Sequence, residues 1–425
     1  MAHRTHLSRA GSSRALQMMM IASLLALVAL LLLLASGCAT PAASTTPTAS
    51  TTPVAATTIP SISTTSHTQA QPDPEPTLEE RILAGMTLRQ KAAQVMLVSF
   101  DGIHLDSELT QYLHQGPPGG VLLLARNVET APQVAALVTA IQEQARMTTA
   151  GGLGLLVAVD QEGGGVARIQ DGVPAVPSAR RLGDESNPQD AAQMARETAA
   201  GLLALGVNMN LAPVGDVVSD PNSFLFSRSF SDDAGRVAAF VTAVVDAYQE
   251  MGMAAAVKHF PGHGSAGGDT HTEQAVSEAA RDEFETIHLV PFRAAIAAGV
   301  RGVMMSHLTA AVYDPERPAS LSPYIIEDLL RGRLGFQGLV IADDLAMAAA
   351  GGDTPAVQAL AAGCDLLILT TTYPEQQEAQ EAIIQAVEAG GLAEDRLDSA
   401  VLRILRLKHE LGLLKTPGPT EAVSP

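Results

Sequence analysis

Eight short apolar runs punctuate the chain between residues 94 and 370, separated by stretches of a different periodicity. They are QVMLVSF (94–100), GGVLLLA (119–125), GLLVAVD (154–160), VNMNLAP (207–213), AAAVKHF (254–260), GVMMSHL (302–308), GLVIADD (338–344) and DLLILT (365–370). Each is nearly continuous in apolar residues instead of alternating, as parallel strands covered on both faces are. The intervening segments ETAPQVAALVTAIQEQARM, QDAAQMARETAAGLLALG, AGRVAAFVTAVVDAYQEMG and VPFRAAIAAGV repeat Ala, Leu and Val every three or four residues. That is the spacing of helices with one buried face. Eight strand-then-helix units across residues 77–415 predict a single α/β domain, a (β/α)8 barrel of TIM type, ending in the helical LAEDRLDSAVLRILRLKHELGLL. An open doubly wound sheet is the alternative. The first strand lacks the glycine fingerprint of dinucleotide folds, and DQEGGGVARIQ spaces its glycines differently, with no acidic partner about 20 residues on.

Residues before the barrel follow another pattern. Arg4, Arg9 and Arg14 precede the apolar run Met18 to Ala35, which meets Ser36, Gly37 and Cys38, and no acidic residue comes earlier. This resembles a bacterial lipoprotein signal peptide (residues 1–37), cleaved so that the thiol of Cys38 carries the lipid. An uncleaved transmembrane anchor is the alternative, because the run is about as long as a spanning helix needs. Ala35 departs from the leucine commoner at that place. Either way the remainder is expected outside the cytoplasm, held at a membrane. Residues 38–76 are rich in Thr, Ser, Pro and Ala and read as a solvated tether, and residues 416–425 as a disordered tail.

Composition narrows the function classes. The 425 residues are 47% hydrophobic and 17% charged, enough for a large core, but only 3% aromatic with no tryptophan, so aliphatic side chains must fill it. The formal charge of −19 argues against nucleic acid as a partner and against a polybasic membrane patch. With only Cys38 and Cys364, no disulfide framework is expected, and Cys364 reads as a buried inert thiol.

Polar residues gather at one end of the predicted strands. Asp160 ends the third, Lys258 and His259 the fifth, His307 the sixth, and Asp343 and Asp344 the seventh. In a barrel these ends ring one mouth, where catalysis takes place. Buried charges are costly unless paired or functional, so their joint placement predicts a polar pocket. KHFPGHGSAGGDTH (258–271) adds three histidines and an aspartate among four glycines, which mark backbone with positive φ or a close approach. A metal site is disfavoured because Pro261, Gly262 and Gly264 break the helix that would align His259 with His263. No nucleophile-elbow motif supports a serine triad. Glycoside hydrolysis needs a carboxylate facing a proton donor across the scissile bond; either Asp343 or Asp344 supplies the first and the glycine-rich loop the second.

These motifs resemble the bacterial β-N-acetylhexosaminidases of glycoside hydrolase family 3. MTLRQKAAQVMLVSFDG, VAVDQEGGGVARI, NMNLAPVGDV, SRSF, KHFPGHGSAGGDTH, VMMSH, VIADDLAM and AAGCDLLIL occur in family order from Met86 to Leu414. The resemblance implies a (β/α)8 catalytic domain, a retaining two-step mechanism and no metal or organic cofactor. It makes Asp343 the nucleophile, with adjacent Asp344 the competing carboxylate, and His271 the general acid/base oriented by Asp269. It makes Asp160, Arg168, Arg228, Lys258 and His259 the groups that hold the sugar. An ion pair with Asp232 or Asp233 is the competing reading of Arg228, His263 reads as a loop organiser, and His307 has no assigned role. Loop glycines imply a swing over the sugar. The expected substrate is a terminal β-linked N-acetylglucosamine on peptidoglycan fragments or chitin-like oligosaccharides. β-Glucosidase or N-acetylglucosaminide phosphorylase activity and a non-catalytic surface sugar-binding lipoprotein are the alternatives. Gly165 stands where arginine is frequent, SDPNSFLFSRSFSDD is an unusual approach to Arg228, and TEQA follows His271 in place of the usual ending.

Overall fold

The computed structural model describes residues 75–149, 152–266, 268, 270, 274–351 and 354–414. Each of the eight apolar runs contributes one strand: β1 Met96–Val98, β2 Gly120–Leu123, β3 Leu156–Val159, β4 Met209–Asn210, β5 Ala254–Phe260, β6 Gly302–Met305, β7 Leu339–Ala342 and β8 Leu366–Leu369. They pair in parallel and close into a barrel, because β1 bonds to both β2 and β8. An open sheet is thereby excluded.

The strands are shorter than the runs that announce them, most of all β4. Pro213 ends the donors on that run, and two buried asparagines replace part of the ladder. Asn208 Oδ1 accepts from Val157 N at 2.9 Å, and Asn210 Oδ1 accepts from Gln161 N at 3.0 Å. Side-chain amides thus satisfy backbone groups of β3 and of the residues just after it.

Helices cover the barrel where the periodicity places them: Ala131–Thr148, Pro188–Ala204, Ala234–Glu250, Val290–Ala297 and Glu394–Glu410. The first three of these start on capping side chains, Thr130, Asn187 and Asp233, that accept from otherwise unpaired N–H groups. Asn187 accepts from Gln189 N at 2.9 Å and Asp190 N at 3.1 Å, just ahead of Pro188. Asp233 Oδ1 accepts from Arg236 N at 2.6 Å. Between β6 and β7 the connection is π-helical, Tyr324–Arg333. Cys364 is fully buried immediately before β8, and burial pushes its thiol up, as an inert core cysteine requires.

The helix Glu394–Glu410 lies across the N-terminal ends of the strands and forms the barrel floor. Arg396 and Arg403 bond to buried Asp365 ahead of β8, Lys408 Nζ donates to Gln94 Oε1 at 2.8 Å ahead of β1, and Leu413 O accepts from Gly154 N at 2.8 Å ahead of β3. The helix Leu78–Ala84 meets the same floor through a hydrogen bond between Glu79 and His409. Among the described residues no helix is long and apolar enough to cross a membrane. The expected signal peptide, the tether up to residue 74, Cys38 and the tail lie outside the described residues.

Lys408 is fully buried with an amide as its partner, and burial brings its ammonium down to about 7. Its folded-state value lies below the unfolded 10.5, so the cost to the fold is complete below pH 7 and fades as pH rises toward 10.5. Lys408→Met removes a cost of at most about 5 kcal/mol, less the loss of a donor to Gln94. Urea unfolding at pH 7 and at about pH 10 should show the wild type gaining stability relative to Lys408→Met across that interval.

Candidate active site

Parallel apolar strands end together at the mouth, so the first polar residue after each one faces a common space. Asp160 follows β3, Lys258 and His259 lie near the end of β5, and Asp343 follows β7. Lys258 is nearly fully buried and donates to two carboxylates, Asp160 Oδ1 at 2.6 Å and Glu162 Oε1 at 2.7 Å. Burial opposes its charge, but Asp160 and Glu162 outweigh burial and raise its pKa. Glu162 also accepts a two-point contact from Arg228, Nε at 2.8 Å and Nη2 at 2.7 Å. Burial works against ionisation of Glu162, yet Lys258 and Arg228 bring it down to about 2. Among the described residues Arg228 therefore pairs with Glu162 and not with Asp232 or Asp233, the latter serving as a helix cap.

Arg168 reaches the group more loosely. Its Nη2 is 3.9 Å from Asp160 Oδ2, and its buried Nε has no hydrogen-bond partner. A guanidinium so lightly engaged beside a carboxylate is available to hydroxyl groups of a ligand.

Asp216, one of the residues of NMNLAPVGDV, has no role in the sequence reading but occupies the centre of the site. It is fully buried and accepts from His259 Nδ1 at 2.7 Å, His259 N at 3.2 Å and His263 N at 2.6 Å. Burial opposes its charge, and His259 overcomes that and lowers its pKa. While Nδ1 of His259 meets Asp216, its Nε2 lies 3.4 Å from Arg228 Nη2. Asp216 thus ties His259 to the root of the glycine-rich loop. His263 is buried, with Nε2 3.1 Å from Thr270 Oγ1. Burial lowers its pKa, favouring the neutral ring of a loop organiser.

Two glycines of this loop answer packing demands. Gly262 has φ +124°, and a Cβ there would lie 2.7 Å from His288 Cβ. A Cβ on Gly264 would lie 2.1 Å from Val217 O. Asp269 and His271, the expected acid/base pair, lie outside the described residues.

The adjacent carboxylates after β7 are in different situations. Asp344 is consumed by local structure: its Oδ1 accepts from Thr370 N at 3.1 Å and Ala346 N at 3.2 Å, and its Oδ2 from the Thr370 hydroxyl. Asp343 accepts one hydrogen bond among the described residues, from Asp344 N to Oδ1 at 2.8 Å. Burial opposes its ionisation, but His259, followed by His307, outweighs burial and lowers its pKa. His307, unassigned from sequence, bonds to Ser320 Oγ through Nδ1 at 2.7 Å and to Asp344 O through Nε2 at 3.0 Å. It pins the backbone that carries both aspartates. Among the described residues no three His, Cys, Asp or Glu side chains converge as a metal site.

Replacing Glu162 by Gln keeps its shape and leaves Lys258 and Arg228 short of one buried negative charge. The expected cost at pH 7 is about 3 kcal/mol in unfolding free energy. Because the folded-state value of about 2 lies below the unfolded 4.5, this stabilisation is complete above pH 4.5 and lost as pH falls to about 2. Denaturant titrations of wild type and Glu162→Gln should therefore converge as the pH is lowered through that interval.

Known proteins share this arrangement of strands. The Glycosyl hydrolase family 3 N terminal domain matches residues 87–407. A beta-hexosaminidase of Stenotrophomonas maltophilia is 39% identical over 291 residues, 66% of this chain and 84% of that protein. Among solved structures, a glycoside hydrolase family 3 beta-N-acetylglucosaminidase from Paenibacillus sp. superposes with TM-score 0.75 at 36% identity. The match covers 80% of this chain and 66% of that longer one. A beta-N-acetylhexosaminidase from Beutenbergia cavernae superposes with TM-score 0.72 at 31% identity, over 77% of this chain and 99% of that one. A closed (β/α)8 barrel with this match along most of its length makes the chain a glycoside hydrolase, and it belongs to glycoside hydrolase family 3.

Proposed function

We propose that the chain is a retaining exo-β-N-acetylglucosaminidase acting through a covalent glycosyl-aspartate intermediate. The observation that carries this reading is the division of labour after β7: Asp344 is bound up by Thr370 and Ala346, whereas Asp343 is ionised and lightly engaged. The names of the S. maltophilia, Paenibacillus and Beutenbergia relatives support the N-acetylhexosamine specificity. Family membership sets aside the purely sugar-binding alternative.

In this reading Asp160, Arg168, Arg228, Lys258 and His259 hold the terminal sugar, with fixed charges matched to hydroxyl and amide groups. Asp343 attacks the anomeric carbon while His271 protonates the departing oxygen. The same imidazole, oriented by Asp269, then takes a proton from the water that attacks the glycosyl-aspartate bond and releases Asp343. An imidazole suits both steps because its ordinary pKa lies near neutrality. The substrates proposed are peptidoglycan fragments or chitin-like oligosaccharides with a terminal β-linked N-acetylglucosamine. Residues 1–37 are proposed as a lipoprotein signal, with Cys38 carrying the lipid and placing the enzyme outside the cytoplasm at a membrane.

Asp343→Ala should lower turnover of an aryl β-N-acetylglucosaminide by more than about a thousandfold while leaving the unfolding midpoint near that of wild type. Asp344→Ala should lower the midpoint instead, by stripping the start of the segment after β8. Turnover by Asp343→Ala at the wild-type rate would remove the nucleophile assignment. His271→Ala should slow aryl substrates with poor leaving groups far more than those with good ones, and lose one limb of the pH–rate profile. A uniform loss across leaving groups would count against proton donation by this histidine.

A further inference from the structure

Away from the mouth, the floor of the barrel holds a concavity of about 500 Å³, lined largely by residues that precede β6 and β7 and by the last turns of the helix Glu394–Glu410. This volume is within the range of small-molecule sites. Three guanidinium groups line it, from Arg301, Arg403 and Arg406, and its one lining carboxylate is Glu410. In a chain with a formal charge of −19, such a cluster runs against the overall balance.

Local pairing does not neutralise it. Glu410 is taken by Arg301 Nε at 2.8 Å. Arg403 reaches Asp365 at 3.0 Å, but that single buried carboxylate also serves Arg396 at 3.1 Å and Arg331 at 2.6 Å, the last with Glu327 as a second, looser partner at 3.7 Å. Arg406 is exposed and forms no ion pair among the described residues. The buried Nη1 of Arg301 has no hydrogen-bond partner. Positive charge is thus in excess, and one buried donor of the lining is unused.

We propose that this groove is a binding site for a phosphate group. A phosphate carries up to two negative charges and several acceptor oxygens, which suit converging guanidinium forks better than the two oxygens of a carboxylate. The phosphate belongs either to a small soluble phosphorylated compound or to the headgroup of an anionic lipid. The second source rests on the proposed lipid anchoring of the chain. Bound between Arg301 ahead of β6 and Arg406 on the final helix, the ligand braces the floor. It plays no part in the reaction at the mouth.

The test uses the full chain, the single variant Arg406→Ala and the double variant Arg301→Ala/Arg406→Ala. Arg406 contributes no ion pair to the fold, so the single variant keeps the test readable if the double variant is unstable. Equilibrium dialysis and thermal unfolding are run with inorganic phosphate and pyrophosphate against chloride of matched ionic strength, since binding to the folded state raises the unfolding midpoint. Cosedimentation is run with phosphatidylglycerol-containing and pure phosphatidylcholine vesicles. For a soluble ligand, wild type binds pyrophosphate and Arg406→Ala weakens this at least about tenfold. For a headgroup, wild type prefers the phosphatidylglycerol vesicles and the variant loses that preference, with no binding of free phosphate. Equal behaviour of wild type and Arg406→Ala in both arms overturns the proposal. Aryl β-N-acetylglucosaminide turnover, measured on the same preparations, should be unchanged in Arg406→Ala, so a missing phosphate site and a failed active-site reading are told apart.

Discussion

The ammonium of Lys258 sits at the end of an apolar strand with almost no access to water, and the mouth of the barrel is arranged around that fact. A buried cation is tolerable only when carboxylates and hydrogen bonds replace its hydration. Asp160 and Glu162 do so, Glu162 in turn holds Arg228, and Arg228 faces His259. Each group is held by the charge of another, so the donors and acceptors are set before a ligand arrives. Such preorganisation lets a site bind a polar sugar without first rearranging its own charges.

The same reasoning separates two neighbouring aspartates that share nearly identical sequence surroundings. A carboxylate that already accepts hydrogen bonds to both oxygens, as Asp344 does, is a poor nucleophile, because its lone pairs are committed to holding backbone in place. Among the described residues Asp343 accepts only from the next residue, and nearby imidazoles favour its charged form. His307 adds to the contrast by fixing the carbonyl of Asp344. The rigid neighbour is what gives the lightly held carboxylate a defined position.

Much of this was legible before any coordinates, and the reason differs between fold and site. Strands buried on both faces must be apolar throughout, so all eight announced themselves, and even β4 with its asparagines lay inside a recognisable run. The mouth residues were visible as interruptions of those runs. Glu162 and Asp216 carry no signal of their own because each lies beyond the end of its barrel strand, Glu162 in the short strand Gln161–Gly163 and Asp216 in a loop, where a carboxylate ordinarily meets water. Their partners come from far along the chain: Glu162 meets Arg228 across 66 residues and Asp216 meets His259 across 43. No local pattern encodes such a partner, which is why Asp232 and Asp233 looked equally plausible for Arg228. The signal available was the presence of acids beside the motif glycines and prolines, where a solvated face would gain nothing from those rigid neighbours.

Floor and mouth solve one electrostatic problem in opposite ways. At the mouth, cations and carboxylates alternate, so the cluster is nearly balanced and its members keep their charge while buried. At the floor, Asp365 gathers Arg331, Arg396 and Arg403, and Lys408 is buried beside an amide with burial pressing its charge away. Positive charge in excess costs stability unless solvent or an anion meets it. Arginine serves better than lysine there because its planar, weakly hydrated cation keeps its proton and divides its donors among several acceptors. Asp365 shows the consequence: with its carboxylate fully buried among three guanidinium groups and the amide of Val340, it locks the last helix beneath the strands, and Arg406 beyond it is left facing outward with its charge unspent.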